Sequence, residues 1–302
     1  GTGANLLNKP GPLTSASDPT VSSNKALGTE WLNSTSGEMY ICTDATAGAN
    51  VWTNVGAGSG DVQPWAFQGE SYGYTSGGWP NPPATDVIDK FSFTTDGNAV
   101  DVGNLTLART MGCGHTSVSY GWTSGGRGTG WGTLNNNIDK FSFSSDGNAT
   151  DSGDLLTTWA TGAGHSSTTH GYIAGGEPSG SSSNSIQKFA FVSGGNASAI
   201  SGVLTFARLG CCGVSAESYG YTIGGQSPYS NVIEKMNFST DANATDVGDQ
   251  LAFTGGFTHS GTQGTTHGFC VGGANYPPTT NLNRIEKVSF SADGNAVDVG
   301  DL

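Results

Sequence analysis

GYTSGG at residues 73–78 is the first of five related hexapeptides that decide the fold of this 302-residue chain. The others are GWTSGG at 121–126, GYIAGG at 171–176, GYTIGG at 220–225 and GFCVGG at 268–273. Each begins with a glycine and an aromatic residue and ends with a Gly-Gly pair, and the pairs recur every 48–50 residues. Self-similarity at a fixed period of this length is typical of repeat architectures. Residues 61–302 therefore consist of five copies of one structural unit.

A segment with two-residue alternation follows each Gly-Gly pair. In the first repeat it reads IDKFSF at residues 88–93. Phe91 and Phe93 share one face of this segment, and Lys90 points to the other. The equivalent segments are IDKFSF at 138–143, IQKFAF at 186–191, IEKMNF at 233–238 and IEKVSF at 285–290. We therefore expect the two apolar positions to be buried and the lysine to lie at the surface or in strand pairing.

A tight turn follows each alternating segment. The turns read DGNA at 96–99 and 146–149, GGNA at 194–197, DANA at 241–244 and DGNA at 293–296. Asp, Gly and Asn readily adopt the positive φ that such hairpins need. Residues 150–155 then predict a fourth strand, and residues 164–168 predict a short strand before the next hexapeptide. Four strands in about 48–50 residues indicate a β-propeller blade, so we predict an all-β fold with five blades closed into a ring.

The repeats resemble those of the Kelch family, in which a short hydrophobic strand ends in Gly-Gly and an aromatic-bearing strand follows. The resemblance covers residues 61–302 and implies a β-propeller. The repeat type is also similar to Kelch-like repeats of marine phage structural proteins, especially those of cyanobacterial phages. This second resemblance implies a place in a tail fibre or another part of a virion.

Residues 1–56 differ from the repeats. Residues 28–55 predict three short strands joined by Ser-Gly and Gly-Ala-Asn turns, and so a small β module. This segment resembles the small modules that precede bacteriophage tail-fibre tips, which implies attachment to other virion or fibre subunits. Residues 57–60 (AGSG) predict a flexible linker to the propeller domain at 61–302.

Composition argues against several classes of function. Eleven basic and 24 acidic residues give a formal net charge of −13, which would repel a nucleic-acid backbone. No apolar run approaches the roughly 18 residues that span a bilayer, so we expect no membrane insertion. The five cysteines form no Cys-x-x-Cys pair, which indicates buried free thiols rather than a zinc or redox site.

The histidines do not form a catalytic or metal-binding motif. The sequence contains no His-Glu-x-x-His, no Gly-x-x-x-x-Gly-Lys and no Gly-x-Ser-x-Gly. His115 and His165 occupy equivalent positions of two repeats, where the other repeats have Phe67, Val214 and Thr262. A position that accepts such different side chains indicates a strand residue, so we expect no catalytic residue and no metal ligand.

Acidic residues are frequent in and after the turns. Asp146, Asn148 and Asp151 have a spacing similar to that of an oxygen-rich calcium loop. The third repeat has Gly194 in place of the first aspartate and still has the same turn. Turn chemistry therefore explains these residues better than calcium binding does. We therefore expect no cofactor, with Ca²⁺ at these hairpins as the alternative.

The connections after the Gly-Gly pairs differ from one repeat to the next. Four of the five carry an aromatic residue: Trp79, Trp131, Tyr229 and Tyr276. In an up-and-down blade these loops all emerge on one face, and an aromatic ring beside polar groups stacks on sugar rings. We predict that these four residues contact a ligand, with packing against adjacent loops as the alternative.

The sequence thus predicts a non-catalytic binding domain of a phage tail fibre or another extracellular appendage of a virion. Its partner would be a glycan or protein of the host surface, and the domain is compatible with a homo-oligomer. A secreted carbohydrate-active enzyme remains an alternative and predicts buried carboxylates clustered at the centre. A cellular protein-interaction scaffold is the other alternative and predicts one large apolar patch.

Overall fold

The computed structural model describes residues 11–55, 71–79, 83–129, 132–251, 256–257, 260–275 and 280–302. These ranges consist of β-strands and their connections and contain no α-helix, which confirms the all-β prediction. No helix within them is long and apolar enough to cross a membrane. The chain divides into two compact units, Gly1–Ala66 and Phe67–Leu302.

The first unit contains one four-stranded sheet. Its strands, in spatial order, are β1 (Leu13–Ser15), β2 (Glu30–Asn33), β3 (Met39–Asp44) and β4 (Val51–Asn54). Strand β1 is parallel to β2, and the other pairs are antiparallel. Tyr40, Cys42 and Trp52 form its buried core. The three strands expected within residues 28–55 are present, whereas β1 is not predicted because its three residues show no apolar alternation.

The second unit contains one sheet for each repeat, designated blades 1 to 5. Blade 1 contains, in the described residues, β5 (Tyr72–Gly78), β6 (Thr85–Ser92) and β7 (Val100–Asn104). Blade 2 contains β8 (Cys113–Thr116), β9 (Tyr120–Ser124), β10 (Asn137–Ser142) and β11 (Thr150–Asp154). After β12 (Trp159–Ala160), blade 3 begins with β13 (Ala163–Ser166) and β14 (His170–Ala174). It continues after β15 (Glu177–Pro178) with β16 (Ser183–Ala190) and β17 (Ser198–Arg208).

Blades 4 and 5 repeat this arrangement. Blade 4 contains β18 (Cys212–Ser215), β19 (Tyr219–Ile223), β20 (Val232–Asn237) and β21 (Thr245–Asp249). The chain then forms β22 (Gly256–Phe257), β23 (Ser260–Gln263), β24 (His267–Val271), β25 (Ala274–Asn275), β26 (Thr280–Asn281), β27 (Arg284–Ser289) and β28 (Val297–Asp301). Blade 5 comprises β23, β24, β27 and β28. Successive four-stranded antiparallel sheets of this kind form a propeller-like fold.

The Gly-Gly pair ends the second strand of a blade because both glycines take positive φ. The first glycine of every pair has a φ between 62° and 65°, in the left-handed region that favours glycine. A Cβ atom on Gly125 would also lie 2.4 Å from the carbonyl oxygen of Trp159. The motif therefore brings the chain close to the segment that leads into the next blade.

The first strands of blades 2 to 5 pack directly on one another through glycines. A Cβ atom on Gly164 would lie 2.5 Å from the carbonyl oxygen of Gly114 in the preceding blade. The equivalent distance is 2.4 Å from a Cβ atom on Gly213 to the carbonyl oxygen of Gly164. It is 2.3 Å from a Cβ atom on Gly261 to the carbonyl oxygen of Gly213. Such close approach of two backbones leaves no room for a side chain, so these strands require glycine.

Aromatic stacking joins each blade to the next. The aromatic residue of a hexapeptide stacks on the last phenylalanine of the alternating segment one blade further along. The pairs are Tyr74–Phe143, Trp122–Phe191, Tyr172–Phe238 and Tyr221–Phe290, with ring centroids 5.1, 5.3, 4.7 and 5.2 Å apart. Phe141 and Phe189 are buried, as the alternation predicts. The prediction is wrong for Phe93, which is 56% exposed, because no aromatic residue of another blade stacks on it in the described ranges.

The turns of the DGNA type bind the preceding blade, and this contact uses the repeated lysines. The ion pairs Lys90–Asp146, Lys188–Asp241 and Lys235–Asp293 have N–O distances of 2.9, 2.6 and 2.8 Å. Blade 3 has Gly194 in place of the aspartate, so Lys140 has no such ion pair and lies 4.1 Å from the ring centroid of Tyr120 in its own blade. Three of the five repeated lysines thus connect neighbouring blades.

The asparagine of the turn in blades 2 to 5 adds a second contact between blades. The side-chain oxygen of Asn148 accepts the backbone N–H of Asn104 in blade 1 at 3.0 Å. Equivalent bonds join Asn196 to Asp154, Asn243 to Val203 and Asn295 to Asp249. The ring stack, the lysine contact and this hydrogen bond together are called the blade joint below.

Candidate functional site

The structure describes two of the four loop aromatics that the sequence predicts as ligand contacts. Trp79 is 37% exposed and Tyr229 is 39% exposed. Trp131 and Tyr276 lie outside the described residues. The two described rings are thus accessible from solvent, and the ligand role of all four residues remains a prediction.

In blades 2 to 5, the base of the loop after the Gly-Gly pair is fixed by the segment that enters the blade. Thr110 pairs with Arg127 through two backbone hydrogen bonds of 2.8 and 2.7 Å. The same pairing is made by β12 with β15, by Leu209 with Gln226, and by β22 with β25. Backbone pairing holds these loops in place on the body of the propeller-like unit, which favours a preformed binding surface.

Trp79 lines a cleft between the loops of blades 1 and 2. The cleft has a volume of about 290 Å³, and its other lining residues are Thr110, Met111 and Arg127. The Nη2 atom of Arg127 lies 2.6 Å from Oε1 of Glu177 in the loop of blade 3. Both side chains are mostly buried, at 16% and 17% exposure. A fixed guanidinium beside an accessible indole can donate hydrogen bonds to oxygens while the ring stacks on an apolar sugar face.

The Arg127–Glu177 pair is not predicted from the sequence. Both residues directly follow a Gly-Gly pair, in blades 2 and 3. This shared position, with opposite charges in consecutive repeats, is the signal that points to a contact between neighbouring loops. Its effect is to connect the loops of three blades, because Arg127 also lines the cleft that holds Trp79.

His115 and His165 join the first strands of neighbouring blades. The Nδ1 atom of His115 lies 3.0 Å from the carbonyl oxygen of His165, and that of His165 lies 3.2 Å from the carbonyl oxygen of Val214. Because a carbonyl only accepts, Nδ1 carries the proton in each ring, and Nε2 accepts from the hydroxyl of Ser124 or Thr222. These contacts satisfy both nitrogens of a neutral imidazole, as expected of a structural strand residue.

Acid is expected to destabilise the protein through these two histidines. Burial lowers the pKa of His115 to about 4 and that of His165 to about 3, from an ordinary value of 6.5. The unfolded chain therefore binds protons that the folded chain does not, so the free energy of unfolding falls as pH decreases from 6.5 towards 3. Urea unfolding between pH 8 and pH 3.5 should show this loss in the wild type. The loss should be smaller in His115→Thr/His165→Thr, which copies Thr262.

A control for this prediction is His267→Thr, which changes a histidine outside the first strands. That variant should keep the pH profile of the wild type. If the double variant lost stability with acid as steeply as the wild type, the two buried histidines would not be the groups responsible.

The buried carboxylates belong to separate ion pairs. Asp139 lies 2.9 Å from Arg109, Glu286 lies 3.1 Å from Arg284, and Glu234 forms an ion pair with Arg208. Each acid sits at the same position of its alternating segment, in blades 2, 4 and 5. They therefore repeat with the blades, and each is bound to its own arginine rather than to a second carboxylate.

The remaining acids and thiols of the repeats are engaged locally. Asp101, Asp151, Asp246 and Asp298 each accept the N–H of the glycine two residues later at 3.0–3.1 Å. In the part of the chain that the structure describes, no group of three or more His, Cys, Asp or Glu residues is arranged to hold a metal ion. All five cysteines are free and buried, and burial raises the pKa of Cys113 and Cys211 to about 12.

Comparison with known proteins gives no family assignment, since no family model and no curated protein matches the chain. Function is therefore inferred from the geometry of the loops.

Proposed function

We propose that this chain is a non-catalytic binding domain of a phage tail fibre or a similar virion appendage. It attaches to a glycan or protein of the host surface through the loops that follow the Gly-Gly pairs. The observation that carries this proposal is the cleft in which the accessible indole of Trp79 lies beside the anchored guanidinium of Arg127. A cleft of this composition suits a sugar, which offers an apolar ring face and an edge of hydroxyl groups.

Several weak contacts act together in this proposal. One aromatic stacking contact contributes roughly 0.5–1.5 kcal/mol beyond the burial of its area. Trp79 alone would therefore hold a sugar weakly, and Tyr229 with the loops of the other blades adds further contacts. Repeated copies of the domain on one particle would raise the strength of attachment without any new kind of contact. The sheet of β1 to β4 would connect the domain to other fibre subunits, and a homo-oligomer fits the same role.

We further propose that the second unit is a ring of five blades. In support, one cavity of about 540 Å³ is lined by Tyr74 of blade 1, Trp122 of blade 2 and Thr262 of blade 5. This shared lining supports a ring in which the last repeat lies beside the first two. An experimental structure with an open arc, or with six or more blades, would contradict this architecture.

The test of binding is attachment of the full chain to a glycan array and to candidate host cells. We expect Trp79→Ala/Tyr229→Ala to weaken attachment by at least tenfold, and adding Trp131→Ala and Tyr276→Ala to abolish it. The control is Tyr72→Ala/Tyr120→Ala, which removes two exposed rings from β5 and β9 instead of from the loops. This control should attach like the wild type.

Three results would contradict this proposal. Equal attachment by the wild type and a folded quadruple variant would remove the loops from consideration. Release of reducing sugar from an arrayed glycan would favour a carbohydrate-active enzyme instead. Binding of host cytoplasmic protein without any binding to glycan or cell surface would favour a cellular scaffold.

A further inference from the structure

We infer that the thiols of Cys212 and Cys270 are a site of oxidative modification, at which a peroxide converts them into a disulfide that links blades 4 and 5. Cys212 lies in β18 of blade 4, and Cys270 lies in β24 of blade 5. The inference concerns covalent chemistry inside the propeller-like unit and does not depend on the proposed binding function.

The two sulfur atoms lie closer than van der Waals contact. The thiol of Cys270 donates a hydrogen bond to the sulfur of Cys212, and the two Sγ atoms are 2.7 Å apart. The sulfur atoms of a disulfide are about 2.05 Å apart, so the bond requires a local shift of about 0.7 Å. The blade joint between blades 4 and 5 already holds the two sheets side by side. Formation of the bond therefore needs no rearrangement of either sheet.

The repeat itself does not require sulfur at these two positions. Cys212 directly precedes Gly213, one of the glycines through which the first strands pack. Cys270 is the register partner of Gly261, the equivalent glycine of blade 5. The equivalent pairs are Cys113 with Ile173 between blades 2 and 3, and Ala163 with Thr222 between blades 3 and 4. Of these three pairs in the described strands, the one between blades 4 and 5 has two thiols, which packing alone does not demand.

The oxidation by hydrogen peroxide is balanced in atoms and electrons. The sulfur of one thiol attacks a peroxide oxygen and becomes a sulfenic acid, and a water molecule leaves. The sulfur of the other thiol then attacks the sulfenic sulfur, and its proton leaves with the hydroxyl group as a second water molecule. Two thiols and one peroxide thus give one disulfide and two water molecules, and the two electrons that the thiols lose reduce the peroxide.

The surroundings of the two thiols make the reaction slow. The two cysteines are 1% and 3% exposed and belong to one apolar cluster with Val214, Ile223 and Val288. The hydrogen bond to Cys212 and burial raise the pKa of Cys270 well above its ordinary value. Because the thiolate is the reactive form of cysteine, the folded protein should react slowly and only with a small oxidant. Hydrogen peroxide is small and uncharged, which suits entry during local opening of the blades.

The disulfide would stabilise the folded chain. It would connect two residues that are 58 positions apart in the sequence. A cross-link that closes a long loop restricts the unfolded chain and so favours the folded one. Disulfides persist in oxidising surroundings and are rare in the reducing cytosol, so the bond would form after the chain leaves the cell in which it is made.

Counting thiols in the full chain tests this site. The wild type, folded and freed of reductant, is treated with hydrogen peroxide, then denatured and alkylated with iodoacetamide, and its intact mass is measured. We expect five alkyl groups before oxidation, one for each cysteine, and three afterwards, because two sulfurs are then in the bond. Peptide mapping should place the bond between Cys212 and Cys270, and dithiothreitol should restore five alkyl groups.

Two variants serve as matched controls. Cys211→Ala removes the thiol next to the site and should still form the bond. Cys212→Ala/Cys270→Thr copies the Ala163–Thr222 pair, so it should keep the fold, and its three remaining thiols should all be alkylated after oxidation. Oxidation should raise the midpoint of urea unfolding of the wild type and of Cys211→Ala, and it should leave that of the double variant unchanged.

A second oxidation covers the case in which peroxide does not reach the folded site. The reduced chain is refolded from urea in a buffer of reduced and oxidised glutathione, where the thiols stay exposed until the blades close and the exchange releases two molecules of glutathione. Five alkyl groups after both treatments would overturn the inference. A bond from Cys212 to Cys211, or to a second copy of the chain, would contradict the link between blades 4 and 5.

Discussion

Phe141→Ala is expected to lower the free energy of unfolding by about 3–5 kcal/mol, as large-to-small substitutions in a core do. Phe141 is 7% exposed and packs in one buried cluster with Ile88, Leu105 and Ala149. Ile88 and Leu105 belong to blade 1, whereas Phe141 and Ala149 belong to blade 2, so the ring fills the space between the two sheets. Its removal leaves a cavity between the two sheets. Neither sheet can fill that cavity without shifting relative to the other.

The matched control is Val192→Ala, which shortens an apolar side chain that is 93% exposed. Its free energy of unfolding should match that of the wild type, because little apolar surface is buried at that site. Urea unfolding followed by circular dichroism measures both variants. A loss for Phe141→Ala no larger than that for Val192→Ala would show that this face of β10 does not point into the core.

The strands and turns of the second unit follow from local signals in the sequence. Two-residue alternation decides which face of a strand is buried, and the Gly-Gly pair decides where the second strand ends. Phe141 and Phe189 are buried for this reason. Phe93 has the same local pattern and is exposed, because its burial depends on whether another blade stacks on it. Alternation within a strand does not indicate which other blade packs against its sheet.

Contacts between blades could not be assigned from the sequence in the same way. Lys90 and Asp146 lie in consecutive repeats, and their pairing depends on how the two sheets pack. A repeated lysine is equally compatible with a solvated surface, and a repeated aspartate with turn chemistry alone. Only the packing of the blades distinguishes these roles.

The candidate site was predictable in part. Variation among the loops identifies Trp79 and Tyr229 because the rest of each repeat hardly changes. The arginine of the cleft is a different case, since Arg127 looks like an ordinary charged loop residue until Glu177 is placed beside it. Its position depends on the loop of a neighbouring blade, which no local pattern specifies.

Buried ion pairs also depend on how the blades pack. Along the chain they alternate with an uncharged pair of residues. Arg109 pairs with Asp139 between blades 1 and 2, and Arg208 pairs with Glu234 between blades 3 and 4. Between blades 2 and 3 the equivalent residues are Trp159 and Gln187. The equivalence is structural, because the carbonyl oxygens of Arg109, Trp159 and Arg208 each accept the N–H of the second glycine of a Gly-Gly pair.

The charged and the uncharged pair each provide an acceptor for a backbone N–H group. Glu234 accepts the N–H of Thr205 at 2.6 Å, and Gln187 accepts the N–H of Leu156 at 3.1 Å. The amide oxygen of Gln187 thus replaces the carboxylate, and the indole of Trp159 fills the space of the guanidinium while its N–H bonds the carbonyl oxygen of Gly175. A neutral pair avoids the cost of burying two charges.

Glu234→Gln is therefore expected to lower the free energy of unfolding by about 3–5 kcal/mol, because it leaves the charge of Arg208 buried without its partner. Arg208 and Glu234 both have fully buried side chains. The control is Asp146→Asn, which breaks the pair with Lys90, whose side chains are 55% and 20% exposed, and which should cost about 1 kcal/mol or less. Urea unfolding at pH 7 measures both variants. Equal losses in the two would mean that burial of the Arg208–Glu234 pair does not determine its contribution.

Copying the Trp159–Gln187 pair should recover much of this loss in the free energy of unfolding. The variant combines Arg208→Trp and Glu234→Gln with Cys211→Gly, because Gly162 is the residue that lies against the indole of Trp159 between blades 2 and 3. It removes the unpaired charge and provides a ring, a bond acceptor for Thr205 and the space that the ring needs. Its free energy of unfolding should exceed that of Glu234→Gln alone by about 2 kcal/mol or more. If the triple variant were no more stable than Glu234→Gln, a Trp–Gln pair could not replace an Arg–acid pair at this place between the blades.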